Sequence, residues 1–133
     1  MTTEDNDRND LVRHRIQQAE ETIVDVSLLL DNERFRAAIN RIYYGMFYAL
    51  LALASAHQFE TSKHTVLIGW FNKKFINQGQ ADPRFGRIIN RAFNKRSKGD
   101  YDSFVEFEKA DILEMFEEMK EFIAEIKQIL KLN

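Results

Sequence analysis

Residues 37–51, which read AAINRIYYGMFYALL, decide how this chain folds. Apolar side chains surround most of the axis of a helix built from this stretch, which is typical of a helix at the centre of a bundle. Asn40 and Arg41 interrupt the run, and Tyr44 follows one turn later on the same face. Burying an unpaired charge costs on the order of several kcal/mol. The stretch therefore either lines a cleft or needs a polar partner from elsewhere in the chain.

The flanking sequence has the three- and four-residue apolar spacing of amphipathic helices. Only one proline and five glycines interrupt it, and no pattern typical of a strand persists. The spacing predicts helices over residues 10–30, 33–56, 63–76 and 83–98, and a last helix that begins near Glu108. We therefore predict an all-α fold, an up-and-down bundle of about five helices. Its single domain is expected over residues 10–133, after a polar tail over residues 1–9 that is expected to be disordered.

Local signals mark several helix ends. Gly79 is expected to stop the third helix, and Gly99 is expected to end the fourth in a left-handed conformation. The pair Asp82-Pro83 is a strong start signal, because aspartate caps the first turn and proline fits its first position.

Composition excludes several classes of site. The chain has no cysteine, so disulfides and thiolate metal sites are excluded, and its three histidines lack the spacing of a metal site. No glycine-rich phosphate loop is present, and no cofactor is implied. No window reaches about 18 uncharged apolar residues, and the acidic N-terminus is unlike a signal peptide. We expect a cytoplasmic protein with no membrane segment.

Basic side chains concentrate in the middle of an acidic protein. The net charge is −2, yet residues 63–98 carry nine basic and one acidic side chain. Five of these basic residues recur at three- and four-residue steps along one face of the fourth helix: Arg84, Arg87, Arg91, Lys95 and Lys98. This basic stripe either contacts RNA phosphates or pairs with the acidic final helix.

A second polar group follows at the end of the fourth helix, where Arg96, Asp100 and Tyr101 lie close together in sequence. On its own, this pattern also fits a simple helix C-terminus. It is nevertheless the partner that we predict for the polar face of residues 37–51, with Asp100 as the counter-charge of Arg41 and His64 nearby. The predicted ligand-binding set is Asn40, Arg41, Tyr44, His64, Arg96, Asp100 and Tyr101.

Residues 40–48, 63–65, 85–89 and 96–101, taken in this order, resemble the HEPN-domain family, whose name stands for nucleotide-binding in higher eukaryotes and prokaryotes. The resemblance implies a helical bundle that forms a homodimer. It also implies a minimal nucleotidyltransferase as partner, in a toxin–antitoxin system. Active members are metal-independent endoribonucleases, in which an arginine holds the phosphate and a histidine, separated from it by four to six residues, takes part in proton transfer.

Arg96 matches the motif arginine, and Tyr101 stands where the histidine is expected. The favoured function is therefore a module that binds a nucleotide, an RNA or a protein partner. One alternative is an endoribonuclease that uses Arg96 and Tyr101 at a dimer cleft, and another is a structural dimer without a ligand. His64 could replace the missing base only if folding brings the start of the third helix to the end of the fourth.

Overall fold

The structure, a computed structural model, describes residues 2–132. It is 79% helical and has no strand in this range, which confirms the predicted all-α bundle. A π-helical turn, Asn72–Ile76, extends the third helix. The α-helices are α1 (Thr3–Asp31), α2 (Phe35–Ala56), α3 (His64–Phe71), α4 (Pro83–Tyr101) and α5 (Lys109–Ile129).

Helix α2 is the central element, as the run over residues 37–51 predicts. It packs against the other four α-helices, and twelve of its residues are buried. Gly45 lets α1 and α5 approach α2 closely, since a Cβ atom there would lie 2.1 Å from the Met119 Cε atom and 3.4 Å from Thr22. The absence of a side chain at Gly45 thus sets the spacing of the three longest helices.

By length and composition alone, α2 could also cross a membrane, which the sequence analysis did not expect. In the folded chain, 67% of its most apolar window is buried against other helices. The core helix of a soluble protein meets the same criterion.

The N-terminal segment differs from its prediction. The structure places residues 3–9 in the first turns of α1 instead of a disordered tail, and residue 1 lies outside the described range. The Thr2 hydroxyl accepts a hydrogen bond from the Asp5 amide at 3.1 Å, and the Asp5 carboxylate accepts one from the Thr2 amide at 3.2 Å. This capping box, with an ion pair between Arg8 and Asp5, satisfies amide groups that a helix start leaves unpaired.

Helix α4 begins and ends by different means. Asp82 caps it and Pro83 opens it, as predicted, and Gly79 lies upstream with a φ of 75°. The predicted end at Gly99 is wrong, because α4 continues to Tyr101. Gly99 is buried against Phe107, which would lie at ordinary van der Waals distance, 3.5 Å, from an added Cβ atom.

The physical reason is the side chain of Arg36, which comes from the first turn of α2. Its guanidinium donates hydrogen bonds to three backbone carbonyls at and beyond the end of α4, those of Gly99, Asp102 and Val105. The Arg36 side chain therefore provides hydrogen bonds to carbonyls near the end of α4. In a left-handed glycine turn, backbone amides would provide such bonds.

Candidate functional site

The site is built on Tyr43, a fully buried residue of α2. Its hydroxyl lies 2.6 Å from the Nδ1 atom of His64, the first residue of α3. The imidazole also stacks on Phe47, with ring centroids 4.0 Å apart and planes 8° from parallel. The hydrogen bond and the stacking together fix the orientation of the imidazole.

Arg96 approaches the same rings from α4. Its guanidinium carbon lies 5.2 Å from the Tyr43 ring centroid, 5.5 Å from that of Tyr44 and 5.8 Å from that of Phe93. One Nη atom donates to the Asp100 carboxylate at 3.1 Å. The buried Nε atom has no hydrogen-bond partner within the described part of the chain. Arg96 therefore holds a positive charge over an aromatic surface and keeps one donor for another acceptor.

The environment sets the protonation of this cluster. Burial lowers the pKa of His64, and the neighbouring positive charge of Arg96 lowers it further. Burial raises the pKa of Tyr43, which the charge of Arg96 partly opposes. At neutral pH the cluster therefore presents a neutral imidazole, a neutral phenol and a cationic guanidinium.

A cleft of about 720 Å³ opens beside this cluster, at the start of α2 and the end of α4. Arg41 lines it and donates from Nε and Nη2 to the Asn40 side-chain oxygen, at 3.1 and 3.0 Å. The guanidinium of Arg41 lies 4.9 Å from the Tyr44 ring, which Arg96 also contacts. The cleft is lined by Leu29, Glu33, Arg34, Phe35, Arg36, Ala37, Asn40, Arg41 and Asp100.

The predicted pairing of Arg41 with Asp100 is wrong. Asp100 pairs with Arg96 and Arg41 bonds to Asn40, although Arg41 and Asp100 line the same cleft. The reason is the continuation of α4 beyond Gly99, which places Asp100 one helical turn from Arg96 on the same face.

The structure brings together six of the seven residues predicted to bind a ligand: Asn40, Arg41, Tyr44, His64, Arg96 and Asp100. The seventh, Tyr101, has a side chain that is 87% exposed and shares none of the ring contacts or hydrogen bonds of this group within residues 2–132.

The five residues of the basic stripe fall into two groups, those that pair with acidic residues of α5 and those that do not. Arg84 pairs with Glu121, and Arg91 pairs with Glu118 and lies 3.8 Å from Glu114. For these two arginines the structure therefore favours pairing with the acidic final helix. The remaining members make no ion pair with any residue that the structure describes: Arg87, Lys95 and Lys98.

The sequence pattern that defines the HEPN domain matches residues 12–129. The chain belongs to the HEPN-domain family. A UPF0332 protein of Thermotoga maritima is 33% identical over 126 residues, which cover 95% of this chain and 96% of the relative. A protein of Methanocaldococcus jannaschii named "Putative toxin MJ0605" is 34% identical over 118 residues, 87% of this chain and 86% of the relative. A second from the same organism, "Putative toxin MJ0142", is 33% identical over 96 residues, 72% of this chain and 65% of the relative.

Family membership confirms the resemblance stated from the motifs. In this HEPN chain Arg96, which the resemblance matches to the motif arginine, is largely buried with 15% of its side chain exposed, while Tyr101 lies in solvent. Among residues 2–132, no group of three or more histidine, aspartate or glutamate side chains could hold a metal ion.

Sequence reasoning missed three contributors to the site. Tyr43 lies within the apolar run, and the sequence does not distinguish a tyrosine with a functional hydroxyl from one that only fills the core. Arg34 and Arg36 are separated by one residue and lie just before the apolar run. Two cations at the start of a helix were the pattern in the sequence that could have indicated an anion site there. That position lacks a side-chain cap.

Proposed function

We propose that this HEPN protein is a toxin-type module that binds phosphate groups of an RNA or a nucleotide in the cleft beside Arg96. The observation that carries the proposal is the concentration of guanidinium groups there. Arg34, Arg36 and Arg41 line the cleft, and Arg96 pairs with Asp100, which also lines it. Guanidinium groups match phosphate oxygens in charge and in bidentate geometry.

The arginines differ in how free they are to bind a ligand. Arg36 is engaged by backbone carbonyls. Arg41 uses Nε and Nη2 for Asn40, so its Nη1 atom remains for an incoming oxygen. Arg96 gives one Nη atom to Asp100 and its Nε atom is buried, so its other Nη atom remains for a ligand. Arg41 and Arg96 are therefore the main phosphate contacts in this proposal, with Arg34 at the rim.

The assembly that we propose follows from the family. The protein acts as a homodimer in the cytoplasm, with a minimal nucleotidyltransferase as partner in a toxin–antitoxin pair. Membership of the HEPN family and the toxin names of two relatives support this assignment. The cations of the stripe that make no ion pair among the described residues, Arg87, Lys95 and Lys98, would extend the contact along an RNA backbone.

Arg41→Gln is expected to weaken binding of a fluorescent 2′-O-methyl RNA about tenfold, which corresponds to roughly 1.4 kcal/mol. Among the described residues Arg41 bonds to the Asn40 amide oxygen and to no carboxylate, so we expect the loss of its charge to lower the affinity. Fluorescence anisotropy at fixed salt measures the dissociation constant. The matched control is Arg84→Gln, because Arg84 is held by Glu121 outside the cleft. Equal affinities for the two variants would contradict the proposal.

A second function, metal-independent cleavage of RNA, is favoured by one observation. Both His64 and Arg96 contact Tyr43: the Nδ1 atom of His64 lies 2.6 Å from its hydroxyl, and the guanidinium carbon of Arg96 lies 5.2 Å from its ring centroid. The Arg96 motif thus has a histidine beside it in space, although none follows it in sequence.

A further inference from the structure

We propose that His64 is the proton acceptor for cleavage of an RNA phosphodiester held by Arg96, and that Tyr43 is the positioning residue that orients its imidazole. This inference rests on the proposed function, because it requires that RNA phosphate binds beside Arg96. It assigns the proton transfer to a residue that lies 32 positions before the arginine, on a different helix.

Tyr43 connects the two groups. Its hydroxyl forms a hydrogen bond with His64 at the start of α3, and the guanidinium of Arg96 from α4 lies over its ring. Tyr44 and Phe93 also contact both His64 and Arg96. Three aromatic residues, Tyr43, Tyr44 and Phe93, therefore hold a base and a phosphate-binding cation together.

The surroundings of His64 suit a proton acceptor. Burial and the charge of Arg96 keep the imidazole neutral at neutral pH. The titratable or charged groups that face it are Tyr43 and Tyr44 of α2 and Arg96 of α4, with Lys63 preceding it in the chain. None of these is a carboxylate that would raise the pKa of His64 again.

The hydrogen bond to Tyr43 selects the reactive nitrogen. When the Nδ1 atom of His64 is protonated, its N–H group donates a hydrogen bond to the phenol oxygen. The lone pair of Nε2 is then free to accept a proton. The imidazolium formed by the transfer keeps the same hydrogen bond from Nδ1. Stacking on Phe47 holds the ring in place through the step.

The reaction balances without another reactant. The 2′-oxygen of the RNA attacks the adjacent phosphorus as its proton passes to Nε2 of His64. Arg96 stabilises the charge that grows on the non-bridging oxygens. The bond from phosphorus to the 5′-oxygen breaks, and that oxygen takes a proton from water. The products are a 2′,3′-cyclic phosphate and a 5′-hydroxyl, and His64 returns its proton to solvent.

The test compares cleavage of an all-ribose RNA with binding of its 2′-O-methyl form, which lacks the attacking hydroxyl. His64→Gln is expected to lower kcat about a hundredfold or more and to leave binding of the 2′-O-methyl RNA within about twofold. Tyr43→Phe removes only the hydroxyl and is expected to give an intermediate loss of kcat. His14→Gln, at an exposed position of α1, is the matched control and should cleave like the wild type. The wild-type kcat should rise with pH and level off below the pH at which an ordinary histidine titrates.

Two outcomes overturn the inference and leave the proposed function in place. They are wild-type protein that binds the 2′-O-methyl RNA but does not cleave the all-ribose RNA, and His64→Gln protein that cleaves as fast as the wild type. Failure of the wild type to bind the 2′-O-methyl RNA would instead overturn the proposed function, and this inference with it. Thermal unfolding of each variant establishes that it is folded under the assay conditions.

Discussion

Arg96→Gln is expected to weaken binding of 2′-O-methyl RNA about a hundredfold, or roughly 2.8 kcal/mol, which exceeds the loss expected for Arg41→Gln. The side chain of Arg96 is only 15% exposed, so its hydrogen bonds to a phosphate form with little competition from water. Asp100 engages one Nη atom of Arg96, so the other Nη atom can donate to a phosphate oxygen. Hydrogen bonds to charged groups contribute about 1.5–3 kcal/mol each, which is the size of the predicted effect.

A second variant separates two causes of the lower RNA affinity: the missing contact from Arg96 and the repulsion from an unpaired Asp100. Arg96→Gln leaves the carboxylate of Asp100 at the edge of the cleft without its cation. The double variant Arg96→Gln/Asp100→Asn removes that repulsion and is expected to recover part of the affinity. Arg84→Gln again serves as the control for loss of a positive charge outside the cleft. Binding by Arg96→Gln within about twofold of the wild type, in a folded protein, would show that Arg96 does not contact the ligand.

Gly45→Val is expected to lower the free energy of unfolding by about 3 kcal/mol, at the upper end of the range for overpacking a core. Its Cβ atom would overlap the methyl group of Met119 on α5 and touch Thr22 on α1. Both neighbours are buried, with exposures of 0% and 3%. An alanine would need only a shift of the flexible end of Met119, whereas the branched valine adds two further methyl groups at the helix crossing.

Urea denaturation followed by circular dichroism measures this difference. The matched control is Gly69→Val on α3, where a Cβ atom would meet nothing within 4 Å. That variant is expected to be as stable as the wild type or slightly more so, because valine has the higher helix propensity. Equal stabilities of the two valine variants would show that α1, α2 and α5 do not cross closely at Gly45.

The sequence predicted those parts of the fold that depend on neighbouring residues. The apolar run over residues 37–51 identified the central helix, and Asp82-Pro83 and Glu108 marked the starts of α4 and α5. These features rest on helix periodicity and on capping within one turn, so a single segment contains the whole signal. The capping box of Thr2 and Asp5 is also local, but the prediction of a tail over residues 1–9 rested on their polar composition alone.

Contacts between distant segments could not be predicted in the same way. The end of α4 depends on Arg36, which lies 63 positions before Gly99. That contact carries the helix past Gly99 and so decides that Asp100 pairs with Arg96 instead of Arg41. Likewise, only packing on Tyr43 brings His64 next to Arg96. The candidate residues were visible in the sequence, but their pairing was set by how the helices pack.

The most direct measurement is the side-chain Nε–Hε resonance of Arg96 in nitrogen–proton correlation spectra, assigned by its loss in Arg96→Gln. Titration with 2′-O-methyl RNA is expected to shift this resonance saturably, with the same dissociation constant that anisotropy gives. The shift is expected because a phosphate oxygen bound at the Nη atoms would change the electronic environment of the whole delocalised guanidinium, to which Nε belongs. An unchanged resonance at RNA concentrations that saturate binding would contradict a phosphate site at Arg96.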